Sequence, residues 1–180
     1  ICAMAGERVL LVDADLRRPM IHQALGLERK PGLSDVIVQG LSAKDVVQTV
    51  RIGLHVLTGG SRVPNPSELV GSKAAAELMK SLESLYDVVI YDAPPTLFMA
   101  DTAPLVRHCS GTLLVVKTAK CRRSTASGAI KQIKALGGHF VGVVLNDVRP
   151  GILRAYGTEG YYYQPDYYRY YEERTEESEP

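Results

Sequence analysis

Two aspartates, Asp13 and Asp15, follow an apolar run near the start of the chain. Residues 9–12 are all aliphatic, which is typical of a strand buried on both faces. Because the ligands of an open α/β sheet bind at the carboxyl ends of its strands, we expect the chemistry of the protein here. The two carboxylates point to one side if the strand continues as far as Asp15, since alternate residues of a strand share a face.

A third carboxylate, Asp92, ends a second apolar run, residues 88–91. Three carboxylates that converge on one sheet edge repel each other unless a cation lies among them, and Mg²⁺ is usually held by one or two carboxylates, water and substrate phosphates. An aspartate at a strand end is also how P-loop nucleotide enzymes hold this metal. The alternative is that the aspartates only cap helices or loops. The three aspartates together, with Arg17 and Arg18 close behind Asp15, favour a metal-dependent phosphate site.

Apolar runs and amphipathic stretches alternate along residues 1–150. The predicted strands are residues 8–13, 54–57, 88–91, 112–116 and 141–145, and the two longest predicted helices begin near residues 72 and 126. Shorter helices are expected after Ser34 and Ser42, which are candidate N-caps. Residues 64–68 are expected to form a rigid, proline-rich surface loop. The alternation predicts βαβ crossovers and a three-layer α/β fold with a doubly wound, mostly parallel sheet.

The size and charge of the chain set further bounds. Its 180 residues are 46% hydrophobic, which suits one α/β domain over residues 1–150 and an appendage over residues 151–180. The net charge of +1 gives no indication of a nucleic-acid binder. The three cysteines are too widely spaced for a zinc site or a disulfide framework, and we expect them to be free thiols. No apolar run approaches the ~18–20 residues that span a bilayer, and the residues given do not lead us to expect a signal peptide.

The appendage holds eight of the ten tyrosines and, with three arginines against seven acidic residues, carries a net charge of −4. It contains almost no aliphatic residues, so it cannot offset its ordering entropy by burial, and we expect a mobile tail. Such a tail is either an adhesive or low-complexity segment or a set of phosphorylation sites. Each phosphotyrosine would add about −1.5 to −2 charges at neutral pH.

Five stretches together resemble the bacterial tyrosine autokinases of capsule and exopolysaccharide synthesis, which are deviant P-loop ATPases. The stretches are residues 9–19, 64–69, 86–95 and 142–146 and the tyrosine tail, so the resemblance covers essentially the whole chain. The first stretch resembles the second Walker-A-like motif of that family, and residues 90–95 resemble its Walker B motif. Related ATPases that position plasmids and division sites share the strand-end aspartates but lack a terminal tyrosine cluster.

The resemblance implies a protein-tyrosine kinase that uses ATP and Mg²⁺. Asp13, Asp15 and Asp92 would then serve the metal, with Asp13 or Asp15 as the base for the incoming tyrosine hydroxyl; we favour Asp13. Arg17 and Arg18 would contact phosphate or a neighbouring subunit, and Asn146 is either an adenine-side contact or an ordinary strand-terminating residue. The implied phosphate acceptors are Tyr161, Tyr162, Tyr163, Tyr167, Tyr168, Tyr170 and Tyr171.

The same resemblance implies the partners. Transfer between neighbouring subunits of a homo-oligomeric ring is expected, with regulation of polysaccharide polymerisation and export at the cytoplasmic face of the bacterial membrane. A membrane activator or polysaccharide co-polymerase, in the same chain or separate, and a cognate tyrosine phosphatase are the expected protein partners. No nucleic-acid partner is expected.

One departure from the family is serious. A P-loop kinase needs Gly-x-x-x-x-Gly-Lys-Ser/Thr to wrap the phosphates with backbone N–H groups, and no Gly-Lys-Ser or Gly-Lys-Thr occurs in the chain. Residue 1 is also isoleucine rather than methionine. We therefore expect a fragment that lacks the first strand, the P-loop and most of the first helix, binds ATP weakly and does not autophosphorylate. The alternatives are an ATPase switch that phosphorylates nothing and a non-catalytic interaction module.

Overall fold

The computed structural model of the protein describes residues 1–95 and 102–148. These residues form strands β1 (Val9–Asp13), β2 (Gln48–Arg51), β3 (Leu54–Leu57), β4 (Val88–Asp92), β5 (Thr112–Lys117) and β6 (Phe140–Asn146). The helices are α1 (Ile21–Leu25), α2 (Leu33–Gln39), α3 (Ala43–Val46), α4 (Pro66–Val70), α5 (Lys73–Leu85), α6 (Thr102–His108) and α7 (Arg123–Ala135). A short 3-10 turn, Ala3–Ala5, precedes β1 and ends at Gly6 in the left-handed conformation.

The first sheet has β1 at its centre. Its strand order is β2-β3-β1-β4, with β1 parallel to both β3 and β4 and with β2 antiparallel to β3. Leu10 and Val12, which share one face of the strand, have no exposed surface, and Val9 on the other face is 4% exposed. The predicted apolar strand is confirmed. The parallel register brings Asp13 of β1 level with Asp92 of β4.

Helix α5 covers one face of this sheet. Its N-cap Ser72 accepts a hydrogen bond from the N–H of Ala75 at 3.1 Å, which satisfies one of the free amides of the first turn. The helical periodicity places Met79 and Leu82 in the core, where they are 5% and 1% exposed. The predicted amphipathic helix is therefore confirmed, and its packing stabilises the sheet that carries the aspartates.

The remaining strands form a separate sheet. Strands β5 and β6 pair in parallel, and α7 packs against them through Ala129 and Ile133. Within the described residues no ladder joins β4 to β5. Their facing edges line a cavity of about 1300 Å³. The α/β class is confirmed, but the strands that we expected in one sheet are divided between two in this part of the chain.

Two local expectations were wrong and one strand was not predicted. Residues 64–68 are not all loop, because Asn65 is the N-cap of α4 and Pro66 occupies its first turn. Proline is tolerated there because an N–H in the first turn of a helix has no partner within the helix. The N-cap of α2 is Gly32 rather than Ser34. Strand β2 was missed because its polar, half-exposed residues are ordered by pairing with β3 rather than by their own hydrophobic pattern.

Candidate active site at the carboxyl edge of the first sheet

Asp13 lies at the end of β1 and has no exposed surface. Its Oδ2 accepts the backbone N–H of Ile21 at 3.0 Å, whereas its Oδ1 has no hydrogen-bond partner among the described residues. Burial raises the pKa of the Asp13 carboxyl above its ordinary value; the N–H of Ile21 opposes this effect and the charge of Asp92 adds to it. A buried carboxylate oxygen without a hydrogen-bond partner is unusual, because its burial costs free energy. A cation or a proton bound to it would remove this cost.

Asp15 does not lie on the strand. β1 ends at Asp13, so the condition under which the two carboxylates would share a strand face is not met. Asp15 instead begins a tight turn, in which its Oδ1 and its carbonyl oxygen accept the N–H of Arg18 at 3.0 and 3.1 Å. The turn ends the strand because the side chain of Asp15 competes for the backbone donor.

Asp92 completes the acidic group at the end of β4. Its carbonyl oxygen accepts the N–H of Ala14 at 2.8 Å, which holds the ends of β1 and β4 together. Partial burial raises the pKa of the Asp92 carboxyl, and the negative charge of Asp15 raises it further. The charge of Asp92 therefore acts on Asp13, and the charge of Asp15 acts on Asp92.

The described residues contain no group of three acidic, histidine or cysteine side chains close enough to hold a metal ion by themselves. This arrangement fits Mg²⁺ of the kind that keeps several waters and takes most ligands from phosphates, with one or two carboxylates from the protein. The Oδ1 of Asp13, which has no hydrogen-bond partner among the described residues, is an oxygen that could serve as a metal ligand. The residues present thus suit such a metal only together with a phosphate ligand.

The two arginines lie on the outside of the same turn. The guanidinium of Arg17 donates to the hydroxyl oxygen of Ser67 on α4 at 3.2 Å. Arg18 is exposed. The structure thus places Arg17 between the acidic turn and α4, and leaves the side chain of Arg18 facing solvent.

Asn146 lies at the end of β6, in the second sheet. Its Oδ1 accepts the N–H of Asp147 at 2.9 Å, and its carbonyl oxygen accepts the N–H of Thr118 at 3.0 Å. Asp147 has a positive φ of 56° and forms an ion pair with Lys117 at 3.3 Å. No ladder within the described residues connects this strand to the aspartates.

The seven predicted acceptor tyrosines, at positions 161–163, 167, 168, 170 and 171, lie outside the described residues, as does the whole segment 151–180. The three cysteines are free thiols, as predicted. Sequence reasoning missed the contact between Gly59 and the acidic turn: a Cβ on Gly59 would lie 2.6 Å from the Cβ of Pro19. The two successive glycines that follow a buried strand were the available signal.

A sheet with parallel strands whose ends carry coupled carboxylates defines an α/β nucleotide-enzyme fold. The structure has a TM-score of 0.63 with the septum site-determining protein MinD complexed with Mg-ADP from Pyrococcus horikoshii, at 20% identity over 85% of this chain and 66% of that chain. That likeness concerns the fold alone. The structure has a TM-score of 0.78 with the kinase domain of the Escherichia coli tyrosine kinase ETK, at 31% identity over 90% of this chain and 62% of that chain.

Two relatives define the family. The chain is 36% identical over 163 residues to the tyrosine-protein kinase YwqD of Bacillus subtilis, which covers 90% of this chain and 68% of that protein. It is 37% identical over 171 residues to the putative tyrosine-protein kinase EpsB of Ralstonia solanacearum, covering 94% of this chain. The chain belongs to the bacterial tyrosine-protein kinase family.

The length relationship differs between the two relatives, because the chain spans only 23% of EpsB. No protein-family model matches the chain. None of the described helices is both long and apolar enough to cross a membrane.

Proposed function

We propose that this chain carries the acidic half of an active site that transfers a phosphoryl group from ATP to tyrosine. The observation that carries the proposal is the buried Asp13, whose Oδ1 lacks a partner among the described residues, coupled to Asp92 at the strand ends. The membership of the chain in the tyrosine-protein kinase family supports the choice of reaction.

Asp13, Asp15 and Asp92 are the residues that would hold Mg²⁺ with its nucleotide, which supplies the phosphoryl group and the positive charge that stabilises its transfer. A tyrosine has an ordinary pKa near 10, so a carboxylate within hydrogen-bond reach assists the loss of its proton. We assign this role to Asp13, because its Oδ1 has no hydrogen-bond partner among the described residues and its raised pKa favours acceptance of a proton. Asp15 and Asp92 would then serve the metal, and Arg17 or Arg18 the phosphate side.

We also propose that residues 1–150 are part of a larger kinase domain that includes a further strand, a P-loop and a helix. The cavity of about 1300 Å³ between β4 and β5 supports this proposal. Around it Ile90, Leu113 and Val115 are 48%, 59% and 62% exposed, which is costly for strand residues of an α/β sheet. An apolar strand between β4 and β5 would cover these edges and bring Asn146 into the same sheet as the aspartates.

The remaining parts of the proposal concern partners. Residues 151–180 would present the acceptor tyrosines to a neighbouring subunit of a ring. A membrane activator or polysaccharide co-polymerase would place the kinase at the cytoplasmic face of the membrane, and a tyrosine phosphatase would reverse the modification. Together these partners would couple the phosphorylation of the tail to capsular or exopolysaccharide export.

The test uses the gene that encodes this chain. Its codons upstream of residue 1 are expected to encode Gly-x-x-x-x-Gly-Lys-Ser/Thr, and the protein with that motif is expected to gain phosphotyrosine in residues 161–171 when given Mg²⁺ and ATP. The 180-residue chain alone is expected to bind ATP weakly and to remain unmodified. The readout is mass spectrometry of the tail, with Asp13→Asn as the inactive variant and the exposed Asp45→Asn as its matched control.

Each alternative has its own outcome in this experiment. ATP hydrolysis without phosphotyrosine would favour the ATPase switch and contradict the kinase. The absence of a P-loop upstream would favour the non-catalytic module. Tight, magnesium-dependent ATP binding by the 180-residue chain would contradict the proposal that the phosphate-binding part lies outside it.

A further inference from the structure

A buried carboxylate on α2 holds the loop that follows β3. Asp35 is 4% exposed. Its Oδ2 accepts two backbone N–H groups, from Gly32 at 2.9 Å and from Ser61 at 3.1 Å, and its Oδ1 accepts the side-chain amide of Gln39 at 3.3 Å. Because each buried donor needs an acceptor, this carboxylate ties the start of α2 to residues 58–61, the 58–61 loop.

The backbone carbonyls of the 58–61 loop are held from the same side. The N–H groups of Leu33 and Ser34 donate to the carbonyls of Thr58 and Gly59 at 2.7 and 3.2 Å. The hydroxyl of Ser34 donates to the carbonyl of Ser61 at 2.8 Å. The guanidinium Nε of Arg29 donates to the remaining carbonyl, that of residue 60, at 2.9 Å. The loop therefore has little freedom to move relative to α2.

The opposite side of the 58–61 loop contacts the acidic turn. A Cβ on Gly59 would lie 2.6 Å from the Cβ of Pro19 and 3.7 Å from the carbonyl oxygen of Asp13. The backbone of the loop therefore packs against the ring of Pro19 so closely that no side chain fits at residue 59. Pro19 is buried there, and it lies between the turn that starts at Asp15 and the amide of Ile21 that binds Asp13. The position of the loop thus bears on the residues at both ends of the turn.

We propose that Asp35 is a positioning residue of the candidate active site: through the 58–61 loop it fixes Pro19, and with it the turn that carries Asp13 and Asp15. It does not contact these carboxylates itself. This proposal rests on the proposed function in one respect, the role of the turn in catalysis. The contacts between Asp35, the loop and Pro19 exist whatever reaction the site performs.

A merely local role of Asp35 in capping α2 makes a different prediction. In that case its loss would loosen α2 and lower the overall stability, and the acidic turn would respond no more than other residues of the same sheet. The amides of Arg18 and Ile21 distinguish the two roles, because the first binds Asp15 inside the turn and the second binds Asp13 at the end of β1. Their hydrogen exchange reports local opening of this segment separately from global unfolding.

The experiment compares amide exchange in Asp35→Ala, Asp35→Asn and the unchanged 180-residue chain, without nucleotide. Asp35→Ala leaves two buried N–H groups without an acceptor, and exchange at Arg18 and Ile21 is expected to rise about tenfold or more. Asp35→Asn retains one carbonyl oxygen and is expected to restore most of the protection. The control is Val36→Ala, which removes buried apolar volume from α2 without touching the loop.

The results are compared at equal loss of global stability. Faster exchange of Arg18 and Ile21 in Asp35→Ala than in Val36→Ala supports positioning. Equal exchange in the two variants overturns it. Gly59→Ala gives a second readout, because its added Cβ pushes on Pro19 while Asp35 stays intact, and it is expected to expose the same two amides. Unchanged exchange there would also overturn the inference. None of these outcomes depends on kinase activity, so a failed kinase assay leaves the result readable.

Discussion

Replacement of Asp13 by asparagine should stabilise the fold while it impairs the site. Asp13 has no exposed surface, one of its oxygens lacks a partner among the described residues, and Asp92 lies level with it on the next strand. Asparagine keeps an oxygen for the N–H of Ile21 and removes the charge. One buried polar atom stays unpartnered in both proteins, so that cost cancels in the comparison.

The expected gain follows from the buried charge. A single stabilising substitution commonly contributes about 0.5–2 kcal/mol. Complete burial and the repulsion from Asp92 place Asp13→Asn in the upper part of that range, about 1–2 kcal/mol at neutral pH. With a urea m-value of about 2 kcal/mol/M, the unfolding midpoint would rise by about 0.5–1 M.

The gain should also depend on pH. Because folding raises the pKa of Asp13, its stabilising contribution is fully present below the unfolded pKa of about 3.9 and is lost as the pH rises through the folded pKa. The difference between Asp13→Asn and the unchanged protein is therefore smallest near pH 4 and largest at neutral pH.

Urea unfolding followed by circular dichroism between pH 4 and 8 measures this difference. The exposed Asp45→Asn is the control and should stay within about 0.5 kcal/mol of the unchanged protein. A less stable Asp13→Asn protein at pH 7, or a difference that grows toward acid, would refute the argument. In the protein that carries the P-loop, the same variant should lose transfer of phosphate to tyrosine, as measured by mass spectrometry of the tail.

Three further predictions concern the framework. The side chain and then the backbone N–H of Arg8 lower the pKa of Asp87 to about 2, so Arg8→Ala should raise that pKa only part of the way to ~3.9 in an NMR titration; an unchanged pKa would contradict the assignment. In the unchanged protein, this pair should lose its stabilising effect as the pH falls from ~3.9 toward about 2. Leu82→Ala should cost about 2–5 kcal/mol in urea unfolding, because Leu82 is fully buried on α5, and a cost below 1 kcal/mol would argue against that packing. Gly60→Ala should cost about 1–3 kcal/mol and more than Gly26→Ala, since both have positive φ but only Gly60 has neighbours within 4 Å of the added Cβ; equal costs would exclude the steric part.

Local pattern predicted the elements that depend on their own residues. Strand β1 could be predicted because a buried strand requires a continuous aliphatic run. Helix α5 could be predicted because burial along one stripe of a helix requires apolar residues at helical spacing. Strand β2 could not be predicted from its own residues, because its polar sequence has no strand pattern and it is ordered by antiparallel pairing with β3. Because of Pro64 and Pro66 we expected a loop, yet Pro66 is the first residue of α4.

The sequence by itself determined that Asp13 and Asp92 lie at the carboxyl edge of a sheet, because each ends an apolar strand and parallel strands end at one edge; Asp15 follows two residues after Asp13. Only the tertiary structure decided how they differ. Asp13 is buried by the residues that pack around β1, Asp15 turns away to bind the amide of Arg18, and Asp92 stays accessible. Burial raises the pKa of the Asp13 and Asp92 carboxyls, and burial depends on contacts with residues distant in the chain. For the same reason, the support of the acidic turn by Asp35 and the 58–61 loop became visible only in the folded structure.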